Sequence, residues 1–189
     1  MPDAATVEKY MVSSPTEGYT FMTPADVATD ADGNLYVCDS STNEITVFDG
    51  DLEYSKTLSS FTLPDGTSTT LTAPQGVFVD AKGTLYIADS EGGRVIVCDH
   101  SGAISRVITV SNEELYLTDF EFIPLKVAAD AWGNVYILAK GVFDGLLQFN
   151  SSDDFIGFVG SNEVDASVLD VLWKKIATKR QREQYAKTV

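Results

Sequence analysis

The chemistry available to this chain is mostly carboxylate chemistry. The run Asp30-Ala31-Asp32-Gly33-Asn34 alternates side-chain oxygens ahead of a bend-forming glycine, which is how a calcium loop begins. Such a loop also needs a glutamate at its twelfth position, and none stands there. Asp30 and Asp32 are therefore weak metal candidates. A turn in which the Asp30 carboxylate accepts from nearby backbone N–H groups accounts for the same pattern. No cofactor is expected beyond a divalent cation such as calcium at that loop. A second acidic grouping comprises Asp39-Ser40 and Asp89-Ser90-Glu91, with Arg94 close behind. Asp39, Asp89, Glu91 and Arg94 suit ion pairs and hydrogen bonds to a protein or polar small-molecule ligand. The same residues could instead cap their own loops, with Asp89 pairing to Arg94. Nucleophilic catalysis has thin support, because the one histidine, His100, lies in a turn-like run and offers neither a Ser-His-Asp set nor a histidine-rich metal set. No catalytic residue is assigned. Cys38 and Cys98 share no metal-ligand spacing and read as small buried hydrophobes.

The elements that carry these residues emerge from a repeat. At an offset of 50, the segment Pro24 to Tyr36 aligns with Pro74 to Tyr86 and with Pro124 to Tyr136. Proline 24/74/124, valine 27/77/127, aspartate 30/80/130, alanine 31/81/131, glycine 33/83/133 and tyrosine 36/86/136 are identical in all three copies. Proline cannot donate to a ladder, so Pro24 belongs at the start of a strand. The Asp-x-x-Gly spacing then makes a turn, and Leu35 to Cys38, Leu85 to Ala88 and Val135 to Leu138 return as strands rich in β-branched and aromatic residues. These runs are apolar on both faces, as in sheets packed between other sheets. Third strands follow at Glu44 to Phe48, Arg94 to Cys98 and Leu146 to Phe149. Fourth, weaker ones read Tyr54 to Leu58, Ala103 to Val110 and Phe155 to Val159. Each copy is thus a four-stranded antiparallel meander, the unit of a β-propeller. The expected fold class is all-β.

The motif Pro-x-x-Val-x-x-Asp-x-x-Gly-x-Leu-Tyr-Val-x-Asp-Ser, followed by Asn43-x-Ile45 or Gly93-Arg94-Val95, resembles the NHL repeat of six-bladed β-propellers over roughly residues 20 to 160. Blade three departs from it, with Ala139-Lys140 in place of Asp-Ser. The long period, and Phe158-Val-Gly-Ser-Asn running towards a Trp-containing helix, resemble bacterial NHL-repeat proteins of the cell envelope that are not characterised as enzymes. The resemblance implies a partial propeller over 1–164, with blades at 20–70, 71–120 and 121–160, in a cell-envelope or extracellular setting. It also implies a non-catalytic binding module, with a metal-dependent hydrolase or lyase as the alternative. Lactonases and amidating lyases on six-bladed propellers place carboxylates and other ligands at the inner ends of several blades. The equivalent positions, just after each proline, hold Ala25-Asp26, Gln75-Gly76 and Leu125-Lys126. Asp26 alone fits a metal ligand there.

Charge narrows the partners. The chain carries 13 Lys plus Arg against 28 Asp plus Glu, a net of −15, which argues against a general grip on nucleic-acid phosphates. No apolar run reaches the roughly 18 residues of a membrane-spanning helix, and the Met-Pro-Asp-Ala-Ala-Thr start has no export-signal pattern. Residues 165–189 change character. Leu169, Leu172, Trp173 and Ile176 share one helical face, and this segment holds 6 of the 13 bases against 3 acids. A basic amphipathic helix is expected to dock on the acidic body or on another copy of it. Three blades do not close a ring, since propellers use about 4 to 8. The chain therefore reads as part of a longer propeller, or as half of a homodimer that completes a six-bladed ring.

Overall fold

The structure is a computed structural model that describes residues 20–110, 121–142 and 145–160. Three four-stranded antiparallel sheets make up most of it. Blade one consists of β1 (Pro24–Thr29), β2 (Leu35–Asp39), β3 (Glu44–Phe48) and β4 (Tyr54–Leu58). A short hairpin, β5 (Phe61–Thr62) and β6 (Ser68–Thr69), occupies the connection to the next sheet. Blade two follows as β7 (Pro74–Val79), β8 (Leu85–Asp89), β9 (Arg94–Cys98) and β10 (Ile104–Ile108). Blade three is β11 (Pro124–Ala129), β12 (Val135–Ala139), β13 (Leu146–Phe149) and β14 (Phe155–Val159). In each sheet the strands pair in chain order, so every blade is a meander. The fourth strand of blade two is shorter than the run Ala103 to Val110 suggests. The helix expected over 165–189 and most of the 111–121 connection lie outside the described residues.

Local sequence explains the recurring shape. Each proline opens its inner strand and faces the last residue of the second strand, as Pro24 faces Asp39 and Pro74 faces Asp89, and the register shifts before the next pair. That bulge recurs in blade three between Pro124 and Lys126. At the opposite end the Asp-x-x-Gly turn closes on a glycine with positive φ: +85° at Gly33, +81° at Gly83 and +88° at Gly133. The aspartate organises it. Asp30 Oδ1 accepts from the Asp32 and Asn34 N–H groups at 3.0 and 2.9 Å, and Oδ2 accepts from the Tyr36 hydroxyl at 3.1 Å. Asp130 repeats this with Trp132, Asn134 and Tyr136. The identical aspartate and tyrosine of the repeat are thus partners six residues apart.

Alternation along the strands divides the apolar side chains between two interfaces. Tyr36, Cys38, Ile45, Val47 and Leu58 of blade one meet Val77, Val79, Leu85, Ile87, Ile96 and Cys98 of blade two. The other face of blade two gives Tyr86, Ala88, Val95, Val97 and Ile108, which pack on Val127, Val135, Ile137, Leu147 and Phe149 of blade three. Blade two is therefore buried on both faces, as its unbroken apolar strands require. The outward face of blade three is different. Leu138 and Leu146 are 40% and 38% exposed, whereas Ala88 and Val95 at the matching places in blade two are fully buried.

Candidate functional site

The loops between second and third strands and the inner-strand starts gather at one end of the blades, because each proline lies opposite the last residue of the second strand. Asp39 and Asp89 stand at this corner with no exposed surface. Asp39 accepts five hydrogen bonds from four backbone N–H groups. Met22 donates to Oδ2 at 2.7 Å, Thr23 to both oxygens at 3.1 Å, and Ser41 and Thr42 to Oδ1 at 3.0 and 3.2 Å. One carboxylate thereby joins the segment ahead of β1 to the β2–β3 loop. Asp89 does the same with a mixed set: Thr72 N–H donates at 2.6 Å and the Arg94 guanidinium at 2.8 Å, while Arg94 also donates to the Thr70 carbonyl. Gly92 lies so close above it that a Cβ there would stand 2.2 Å from Asp89 Oδ2.

Of the four rim residues expected to meet a ligand, Asp39, Asp89 and Arg94 thus hold loops in place, and the capping and pairing role describes their contacts. Burial with satisfied oxygens leaves the two aspartates no surface for a ligand. Glu91 is exposed on the β8–β9 loop. Links between blades converge at the same end. Asn43 Oδ1 accepts from Ala73 N–H at 2.7 Å, and the Ser90 hydroxyl donates to the Pro124 carbonyl.

The weak metal candidates do not come together. Asp30 and Asp32 lie in the turn at the far end of β1 from Asp26, and the Asp30 oxygens are filled by the donors named above. Burial acts to raise the Asp30 carboxyl, but the bonds from Asn34, Tyr36 and Asp32 outweigh it and hold the group below the ordinary carboxylate value. Burial, followed by the bond to Asp30, pushes the Tyr36 hydroxyl up to about 12. Burial also pushes the thiols of Cys38 and Cys98 up to about 12. Both cysteines are free, fully buried and unreactive in character.

One cluster was not legible from the repeat. Asp26, Gly76 and Lys126 occupy the same place on the three inner strands, two residues after each proline. The Lys126 ammonium reaches across blade two to blade one. It donates to the Gln75 carbonyl at 2.7 Å and the Ala25 carbonyl at 3.0 Å, and pairs with Asp26 Oδ2 at 3.2 Å. Asp26 Oδ2 also accepts from Val77 N–H at 3.1 Å. Gly76 makes room: a Cβ there would lie 2.6 Å from the Leu125 carbonyl oxygen and 3.0 Å from the Lys126 Cα. The available signal was that a lone base replaces an acid and a glycine at one repeat position.

At the opposite end a groove of about 460 Å³ opens between blades two and three, lined by Phe78, Asp80, Tyr86, Arg106, Asp130 and Ser151 among others. Arg106 bridges it, donating to the Ser151 carbonyl at 3.0 Å. It also lies 3.0 Å from Asp153 Oδ1, close enough for an ion pair but not aligned as a hydrogen bond.

Four-stranded meanders packed face to face, with their first strands side by side and joined across an axis by Lys126, define a β-propeller. The family model described as the SMP-30/gluconolactonase/LRE-like region matches residues 11–122, more than half of the chain. The chain belongs to that family. No curated protein matches it by sequence. Among solved structures, virginiamycin B lyase from Staphylococcus aureus is 13% identical over 76% of this chain and 42% of its own, with a TM-score of 0.50. The extracellular domain of a putative hybrid two-component system from B. thetaiotaomicron is 17% identical over 74% of this chain and 19% of its own, with a TM-score of 0.51. These likenesses concern the fold. The chain spans less than half the length of either structure.

The metal that propeller lactonases and lyases imply can be tested against these residues. No three potential metal-ligating side chains cluster among the described residues. At the inner ends the one carboxylate, Asp26, is already engaged by an ammonium group. The residues present do not fit a divalent ion at that place.

Proposed function

We propose that this chain is a non-catalytic binding module built on propeller blades of the SMP-30/gluconolactonase/LRE-like family. The observation that carries the reading is the content of the three inner-strand ends. Where a hydrolase needs a nucleophile, a base or a metal set to converge, this chain has a glycine, a lysine and one aspartate, and the two charges neutralise each other. The blades act as a rigid frame, and the β2–β3 and β8–β9 loops, held by Asp39 and by Asp89 with Arg94, form the recognition surface for a protein or polar small-molecule ligand. Glu91 is the direct contact in this scheme. The repeat motif supports an NHL-like subtype, and that resemblance is the ground for proposing a cell-envelope or extracellular setting.

The uncovered face of blade three supports the further proposal that more blades complete the ring. They are supplied by a longer chain, with a three-plus-three homodimer as the second reading. The functional reading is tested by incubating the purified chain with a sugar lactone, with and without calcium or zinc. Hydrolysis at the uncatalysed rate in every condition is expected. Turnover that a chelator abolishes would replace the binding module with the metal-dependent hydrolase.

A further inference from the structure

We propose that the groove between blades two and three is a binding site for a neutral sugar unit, with Asp80 accepting from its hydroxyl groups and Arg106 donating to its oxygens. The site lies at the far end of the blades from Glu91, so it is separate from the rim surface. Its basis is a difference among three copies of one turn. In blade one, Asp30 Oδ2 accepts from Asn34 Nδ2 at 2.7 Å and from the Tyr36 hydroxyl at 3.1 Å. In blade three, Asp130 Oδ2 accepts from Asn134 Nδ2 at 2.7 Å and from the Tyr136 hydroxyl at 3.1 Å. Blade two has Thr84 where the others have asparagine, and threonine brings no amide. Asp80 Oδ1 still holds the turn, through the Lys82 and Thr84 N–H groups at 2.8 and 2.9 Å. Among the described residues Asp80 Oδ2 accepts only from the Tyr86 hydroxyl, at 3.4 Å, which is long for a hydroxyl donor. One carboxylate oxygen therefore keeps acceptor capacity, and Asp80 lines the groove.

The rest of the groove selects the ligand. Arg106 is fixed beside it by the Ser151 carbonyl and by Asp153, and a guanidinium has five N–H donors, more than these partners use. Burial and then the Asp80 charge hold the Tyr86 hydroxyl above its ordinary value, while Arg106 acts in the opposite sense, so all three groups lie within electrostatic reach of one another. Two acids, Asp80 and Asp130, and two bases, Lys82 and Arg106, share the walls. An anion would meet the acids and a cation the bases. A neutral ligand that both donates and accepts meets neither penalty. Phe78 and Tyr86, with ring centroids 5.9 Å apart, add apolar wall, and Trp132, 82% exposed, sits in the turn between the lining residues Ala131 and Gly133. Hydroxyl groups along the edges of a ring whose face is C–H surface are the chemistry of a pyranose. The volume of about 460 Å³ lies within the about 300–1,000 Å³ of small-molecule sites.

Saturation-transfer NMR titration of the full chain tests this, with the methyl glycosides of glucose, galactose, mannose and N-acetylglucosamine as neutral probes, and glucuronate and glucosamine as charged ones. At least one neutral glycoside should bind saturably in the millimolar range, more tightly than either charged sugar. Thr84→Asn then gives blade two the turn of its neighbours. The new amide should donate to Asp80 Oδ2, leave the unfolding midpoint unchanged or raised, and weaken binding about tenfold through loss of a hydrogen bond to a charged group. Asp80→Asn, which keeps the Oδ1 acceptor and turns Oδ2 into a donor, should weaken binding to a similar degree and serves as the second variant where Thr84→Asn does not fold. Absence of saturable binding by every neutral glycoside, tighter binding of a charged sugar, or binding indifferent to both substitutions overturns the proposal. Loss of the same signal in Glu91→Ala would place the sugar on the rim and overturn the groove as its site.

Discussion

Asp39→Asn isolates what a buried carboxylate contributes when backbone, not a base, satisfies it. The substitution keeps size and shape. It leaves one acceptor oxygen and puts an NH₂ group where the second stood. If the amide oxygen takes the Oδ1 place, it still serves Ser41, Thr42 and Thr23, while Met22 N–H, now 2.7 Å from Oδ2, meets a donor. An orphaned N–H costs about 1–3 kcal/mol, and the remaining bonds lose their charge assistance. The backbone at Met22 borders solvent, so water offsets part of this, and a net loss of about 2 kcal/mol is expected. For a chain of this size that lowers the melting midpoint by roughly 4–8 °C. Denaturant titration is the assay, with the slope unchanged and the midpoint reduced. Ser40→Ala, which removes only an exposed hydroxyl bonded to the Thr23 carbonyl, is the control. A loss under about 0.5 kcal/mol for Asp39→Asn would refute the claim that this carboxylate fastens the segment ahead of β1 to its loop.

Two other outcomes follow from the same contacts. Light scattering on a sizing column should show no discrete species at twice 20.5 kDa if further blades belong to a longer chain; a single sharp dimer would establish the three-plus-three ring instead. Stability should also fall at both extremes of pH. The lowered Asp30 and Asp130 carboxyls stabilise the fold above their ordinary value of 3.8 and lose this contribution as pH drops through their folded values. The raised Tyr36 hydroxyl contributes fully below 10 and loses its contribution as pH climbs towards 12. Tyr36→Phe should flatten the alkaline limb in a pH series of denaturant midpoints, and an unchanged limb would contradict the Asp30–Tyr36 pairing.

The blades were legible because their signals are local. Proline at the strand start, the Asp-x-x-Gly turn and the following aromatic strand all fall within 13 residues, and the copies reinforce one another. The predicted third strands coincide with β3, β9 and β13. The β5–β6 hairpin was not anticipated, since a two-residue strand leaves no periodicity to read. At the rim, the residue types were right for ligand contact but their burial was invisible. Whether Asp39 faces water depends on the segment around Met22 folding back over it. The axial cluster was the least legible part, because Lys126 meets Ala25 and Gln75 only after three blades have packed together.

Gly76 carries a geometric consequence for the whole ring. The angular sector that a blade occupies is set by how near its innermost strand lies to the next one, and β7 approaches β11 closely enough that even a methyl group would not fit between them. A glycine at this height makes a narrow wedge. Substituting a bulkier residue there would widen one sector and leave less of the circle for the others, so the number of blades that can surround the axis is written partly into the smallest side chain on it.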